Sequence, residues 1–219
     1  LVSSVQVTDL TGALLDETQA RLAISDWQPG RVYAQSYLLH LDSALDPPLV
    51  ANVAVTVRHS STGETYPVTS VAPVSSEARL THLRVIPVAG WVSKPIHVVD
   101  YEFADLISLV GYDIIDVPPG IVLYWKSHRA TDEDLNVFVH VLKADGTLIG
   151  QMDGPPRGGR YPTSQWLPGE VVVDVHTAPM AIADADRLMV GWYDLQDGRR
   201  LPLANATGDA VIINLTQLD

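Results

Sequence analysis

The sequence predicts an all-β chain: two tandem β-sandwich domains, of immunoglobulin-like or jelly-roll type, related by an internal repeat. Short apolar–polar alternations, the turn residues that punctuate them, and landmarks that recur in the same order all point to it. Alternation marks residues 53–58, 80–85, 121–125, 137–141 and 211–215 as strands, because side chains on a strand point to opposite faces with period two. Asp145-Gly146 and Asp197-Gly198 sit between apolar runs and read as hairpin turns, where glycine tolerates positive φ. Helical signals are scarce; only residues 16–24 are expected to make a couple of helical turns.

The repeat is fixed by two turns, Trp27-Gln28-Pro29-Gly30 and Trp166-Leu167-Pro168-Gly169, each followed by β-branched residues. Upstream of each lies a strand, an x-Gly turn and a second strand, and Gly12 and Gly146 stand 134 residues apart. Downstream, Thr62 to Val68 matches Gln196 to Leu203, with Pro67 and Pro202 separated by 135. The tryptophans are 139 apart, so the second copy carries extra residues between its glycine turn and its tryptophan. Ordered landmarks at nearly constant offset are the signature of a duplicated module.

The expected domains are residues 1–100, a less complete sandwich plus connector, and residues 101–219, a fuller one. The second opens with Leu106 to Ile115, the Pro118-Pro119-Gly120 turn and the strand Ile121 to Trp125, for which the first has no counterpart. Those strands are expected upstream of Leu1, or the strand near residues 95–102 fills their place. Either way the first domain should expose more of its edge. Trp91, in the connector, is expected to wedge the two domains together.

The 47% hydrophobic and 18% charged content is that of a globular chain. No apolar run reaches the ~18–20 residues that a membrane-spanning helix needs. A net charge of −12 without a basic run makes nucleic acid a poor partner, since phosphate recognition needs clustered Lys and Arg. Cysteine is absent, which excludes disulfides and thiolate metal sites. A start at Leu1 without a signal-peptide pattern reads as a part of a longer polypeptide.

One resemblance covers about residues 103–215. It is carried by Leu109-Val110-Gly111-Tyr112-Asp113, Pro119-Gly120, Leu123-Tyr124-Trp125, the run from Val137 to Gly146, and Gln151-Met152-Asp153-Gly154-Pro155-Pro156. Tyr161-Pro162-Thr163, Trp166-x-Pro168-Gly169-Glu170, Gly191-Trp192-Tyr193-Asp194 and Gly198-Arg199-Arg200-Leu201-Pro202 complete it. The combination resembles the soluble β-sandwich region that follows the membrane part of large bacterial glycosyltransferases of the dolichyl-phosphate-mannose mannosyltransferase-like kind. The resemblance implies an extracytoplasmic position, with catalysis and the lipid-linked donor belonging to the membrane part of the parent chain. It carries over no catalytic residue.

The residues themselves show no nucleophile elbow, zinc-protease helix, P-loop or dinucleotide glycine fingerprint. The expectation is therefore a non-catalytic accessory domain that binds a glycan or lipid-linked sugar acceptor weakly; the alternative is a purely structural or protein-interaction module. The candidate ligand-binding segment runs from Asp153 to Tyr161, where Arg157, Arg160 and a Tyr161 expected to be exposed accompany three glycines. Asp153 and Asp113 are the acids of first interest. No cofactor is expected, although the acidic clusters Asp132-Glu133-Asp134, Asp184-x-Asp186 and Asp194 near Asp197 leave a structural Ca²⁺ as an alternative. The seven histidines show no short metal-ligand spacing and read as surface or half-buried structural residues. Trp27 and Trp166 read as equivalent packing anchors; Trp125 and Trp192 should point inward, and Tyr124 and Tyr193 outward.

Overall fold

A computed structural model describes residues 1–42, 45–67, 78–86, 94–178 and 185–215. Trp91, Val68 and Asp184 lie outside them. Half of the chain is strand; among the described residues helix is confined to three short 3-10 turns and every strand pairing is antiparallel. The chain divides into two compact units, Leu1–Ile86 and Pro87–Asp219. The boundary falls earlier than residue 100, because the strand beyond the connector pairs within the second unit.

The first unit is one five-stranded sheet. Its strands are β1 (Val2–Asp9), β2 (Leu14–Arg21), β3 (Leu49–Arg58), β4 (Thr65–Tyr66) and β5 (Ala78–Val85), in the order β2-β1-β3, with β4 and β5 both paired to β3. β2 occupies the stretch expected to be helical. It pairs residue by residue with β1 from Arg21 to Asp16, and the ladder outweighs the modest local helix preference of Glu17, Gln19 and Ala20. The β1–β2 turn is closed by the Asp9 carboxylate, which accepts the N–H groups of Thr11 and Ala13, each at 2.9 Å, around Gly12 at φ 88°. A core of Val5, Val7, Leu49, Ala51 and Val53 lies against Tyr37, Leu39 and Leu45 from the long connection between β2 and β3.

The second unit is a two-sheet sandwich. One sheet orders β6 (His97–Phe103), β7 (Ile107–Asp116), β8 (Pro119–Ser127) and β11 (Val171–Thr177) as β11-β8-β7-β6. The other orders β9 (Leu135–Leu142), β10 (Leu148–Gln151), β12 (Arg187–Asp194) and β13 (Val211–Asn214) as β10-β9-β12-β13. Trp125 of β8 meets Trp192 of β12 edge to face at 4.7 Å, and Trp166 meets Trp192 edge to face at 5.7 Å. All three are buried. Tyr124 and Tyr193 point to the opposite faces of their strands, where Tyr193 is half-buried and Tyr124 is itself buried, its hydroxyl donating to Asp113 at 2.7 Å.

The repeat is visible strand for strand. β2-β1-β3-β5 corresponds to β10-β9-β12-β13, and the registers agree. Val5 faces Val55 and Val7 faces Val53 in the first unit; Val139 faces Val190 and Val141 faces Leu188 in the second. Each Trp-x-Pro-Gly turn follows a 3-10 turn, Ile24–Asp26 or Thr163–Gln165, with its glycine at positive φ. What the first unit lacks is a counterpart of the β11-β8-β7-β6 sheet among the described residues. Its Trp27 is accordingly 45% exposed where Trp166 is 2% exposed, so the two are not equivalent packing anchors.

This difference predicts unequal mutational costs. Trp166→Ala should lower stability by about 3–5 kcal/mol, as for a buried large aromatic, and Trp27→Ala by less than about 1 kcal/mol. Urea unfolding followed by circular dichroism measures both; equal losses would contradict the assignment.

Candidate functional site

The side chains that converge on one concave surface lie on the outer face of the β10-β9-β12-β13 sheet. On β9, Val137, Val139 and Val141 point into the sandwich, so Phe138 and His140 point out. Directly across from Phe138 stands Gly191 of β12, where a Cβ would lie 2.4 Å from the Phe138 ring. The missing side chain lets the ring lie down on the sheet. The Arg200 guanidinium covers its other side, 4.3 Å from the ring centroid, and reaches Asp209 at 3.7 Å.

Around this buried ring sit Tyr193, His140, Gln151 and Asp153, which line a depression of about 310 Å³. One Asp153 oxygen accepts the Val139 N–H at 3.0 Å; the other lies 3.3 Å from the Gln151 amide and 3.5 Å from His140 Nε2. Gln151 also meets His140 Nε2 at 3.0 Å. Burial, reinforced by the Asp153 charge, raises the Tyr193 pKa, so its hydroxyl remains a neutral donor and acceptor. The depression thus offers a carboxylate, a carboxamide, an imidazole, a phenol and a guanidinium above the buried Phe138 ring.

A second depression, of about 400 Å³, shares Gln151 and Asp153 and extends to Gly154, Gly158 and His176. Here the buried pair Asp174 and His176, one strand step apart on β11, ties down the loop that follows β10. His176 Nδ1–H donates to the Met152 carbonyl at 2.8 Å, and Nε2 contacts Asp174 at 2.7 Å. Asp174 uses its other oxygen to accept the Arg157 N–H at 2.7 Å, holding Arg157 at φ 56°. That left-handed backbone is unfavourable for a side chain with a Cβ. The Arg157 guanidinium donates to the Val173 carbonyl at 3.2 Å.

Of the residues singled out in the sequence, Asp153 stands in the depression. Arg157 is engaged with β11, and Arg160 is half-buried at the end of the same short turn. Tyr161 is not exposed: it is fully buried, its hydroxyl bonding Glu170 at 2.9 Å while its carbonyl accepts the Trp166 indole N–H at 3.1 Å. The large ring is better accommodated against Trp166 than in water, and Glu170 satisfies its hydroxyl. Asp113 is taken up by the Tyr124 hydroxyl and by the Ile96 N–H at 2.5 Å. Among the described residues, no group of three or more His, Asp or Glu is placed to hold a metal ion.

Phe138, Tyr193 and Arg200 come from separate stretches, and nothing local in the sequence marks them as partners, although Tyr193 is expected to point outward. The sequence reading also missed the Asp174–His176 pair. Apolar alternation in β11 favours Val171, Val173 and Val175 as the inward set, whereas the structure buries Val172, Asp174 and His176. The signal was available in the i, i+2 spacing of an acid and a histidine. No protein-family model, curated protein or solved structure matches the chain.

Burial lowers the His176 pKa, but the Asp174 hydrogen bond and charge and the Met152 carbonyl outweigh it, and the net shift is upward. A folded-state pKa above the unfolded value of ~6.5 gives stabilisation that is complete below that value and lost as pH rises through the folded pKa. The thermal midpoint of unfolding should therefore fall as pH is raised above ~6.5. His176→Gln should be less stable at low pH and lose that dependence. A rising midpoint over the same range would contradict the pairing.

Proposed function

We propose that the chain is a non-catalytic accessory module that binds a glycan, or the sugar part of a lipid-linked acceptor, weakly through the depression around Phe138, Tyr193, Asp153 and Arg200. The observation that carries this reading is the combination of the half-buried Tyr193 ring with convergent hydroxyl-binding groups on a rigid sheet. Pyranose rings present apolar C–H faces to an aromatic and hydroxyl groups to carboxylate, amide and guanidinium, and Tyr193 with Asp153, Gln151 and Arg200 offers both kinds of partner. Asp153 and His140 are held by the backbone and by neighbouring polar groups, which suits fixed recognition better than proton transfer.

An extracytoplasmic position, with the membrane part of a glycosyltransferase-like parent chain as covalent partner, is supported by the sequence resemblance over residues 103–215. The net charge of −12 speaks against nucleic acid as a ligand. A second reading, a protein-interaction module without sugar affinity, is favoured by the exposed aromatic and apolar residues of the first unit, Trp27, Val32 and Leu38.

A glycan array probed with the folded chain tests the first reading. A reproducible class of neutral or amino sugars is expected, with Asp153→Ala, Tyr193→Ala and Arg200→Ala each weakening retention roughly tenfold, the loss of about one good polar contact. A blank array with correctly folded protein would overturn it in favour of the second.

A further inference from the structure

The internal repeat allows the first unit to be read against a finished copy of itself. In the second unit, the inner face of the β10-β9-β12-β13 sheet is covered by β8, whose Trp125 packs on Trp192, and Trp166 packs on the same Trp192 ring. Carried back by the repeat offsets, Trp192 becomes Val57, Val190 becomes Val55, and Trp166 becomes Trp27. Those three residues, with Tyr33, Tyr37 and Ser3, line a groove of about 480 Å³ in the first unit. Space filled by indole rings in one copy is open in the other.

The backbone shows the same vacancy. The strand β11, which follows Gly169, corresponds to residues 32–38, which follow Gly30. β11 pairs residue by residue with β8, from Val171 with Lys126 to Thr177 with Gly120. Residues 31–42 belong to no sheet among the described residues, and Val32 and Leu38 are 98% and 71% exposed. One missing element therefore accounts for both the open groove and the open edge. An extended segment that satisfies a strand's hydrogen-bonding groups while placing alternate side chains in a pocket is the β-augmentation mode of recognition.

We propose that the first unit is a docking site for a β-strand with one large aromatic side chain, which pairs antiparallel with residues 32–38 and seats that ring in the groove beside Trp27. The second unit also indicates the source. β7 and β8 stand immediately ahead of β9 in the chain, and β1 is the counterpart of β9. The docking strand is accordingly assigned to polypeptide lying ahead of β1 in a longer chain. This goes beyond the glycan-binding reading and is independent of it, since the groove and the depression are built from different units.

The probe is a synthetic peptide with the sequence of residues 119–127, which holds the Trp125 ring and its neighbours in strand pattern. Added to the intact chain, it should slow amide exchange at residues 32–38 at least tenfold and shift Trp27 emission to the blue. A peptide carrying Trp125→Ser should bind at least tenfold more weakly, and Ser36→Pro in the protein should abolish the protection, because proline removes a donor from the edge. A fusion that places residues 103–134 ahead of Leu1 should show the same protection without added peptide, which separates a poor probe from a wrong site. Unprotected residues 32–38 in both formats would overturn the proposal. Protection already present in the free chain, with a concentration-dependent dimer, would overturn the assigned source and make a second copy the occupant.

Discussion

The contact on which the second unit depends is the stack of Trp125, Trp192 and Trp166 between its two sheets. Each ring removes roughly 150–250 Å² from water, and the edge-to-face geometry adds a favourable quadrupole contact. The arrangement has a cost: the indole N–H groups of Trp125 and Trp192 are buried without a hydrogen-bond partner among the described residues. An unmet donor is worth about 1–3 kcal/mol, so ring burial must exceed that for both residues. The third tryptophan avoids the penalty by donating to the Tyr161 carbonyl. That bond, with the Tyr161–Glu170 bond, fixes the loop through which the chain crosses from one sheet to the other.

The same constraint explains why two related sequences end in different states. The strand pairs Val5–Val55 and Val139–Val190 are interchangeable in register and chemistry, so the duplicated sheet forms in both units. A sheet buries its second face only against another layer. Where β6 to β8 supply that layer, Trp166 becomes core. Where they do not, Trp27 stacks on Tyr33 at 5.5 Å and remains close to half exposed, and the β2–β3 connection folds over part of the apolar face.

Much of this was legible in the residues. The Trp-x-Pro-Gly turns, the glycines at positions 12 and 146 and the prolines at 67 and 202 located the repeat, and period-two alternation located most strands. The lack of a counterpart to residues 103–134 was legible too, though not its consequence for Trp27, because a turn motif does not report what covers it. Residues 16–24 misled because local helix preference is weak beside a strand ladder. Tyr161 misled because a tyrosine among glycines, prolines and arginines reads as loop surface, while its partner Glu170 lies nine residues on and only the fold brings them together. The depression on the outer sheet face was hidden for the same reason: Phe138, Asp153, Tyr193 and Arg200 meet through strand pairing and a bare Gly191, neither of which is a local pattern.

The central claim is that, among the described residues, one sheet has been built twice and covered by a second sheet once. Amide hydrogen exchange of the intact chain tests it most directly, by comparing residues 171–177 with their counterparts 32–38. The account predicts strong protection over the first segment, where β11 pairs with β8, and exchange near the unprotected rate over the second. Comparable protection of the two segments in the monomeric chain would contradict it.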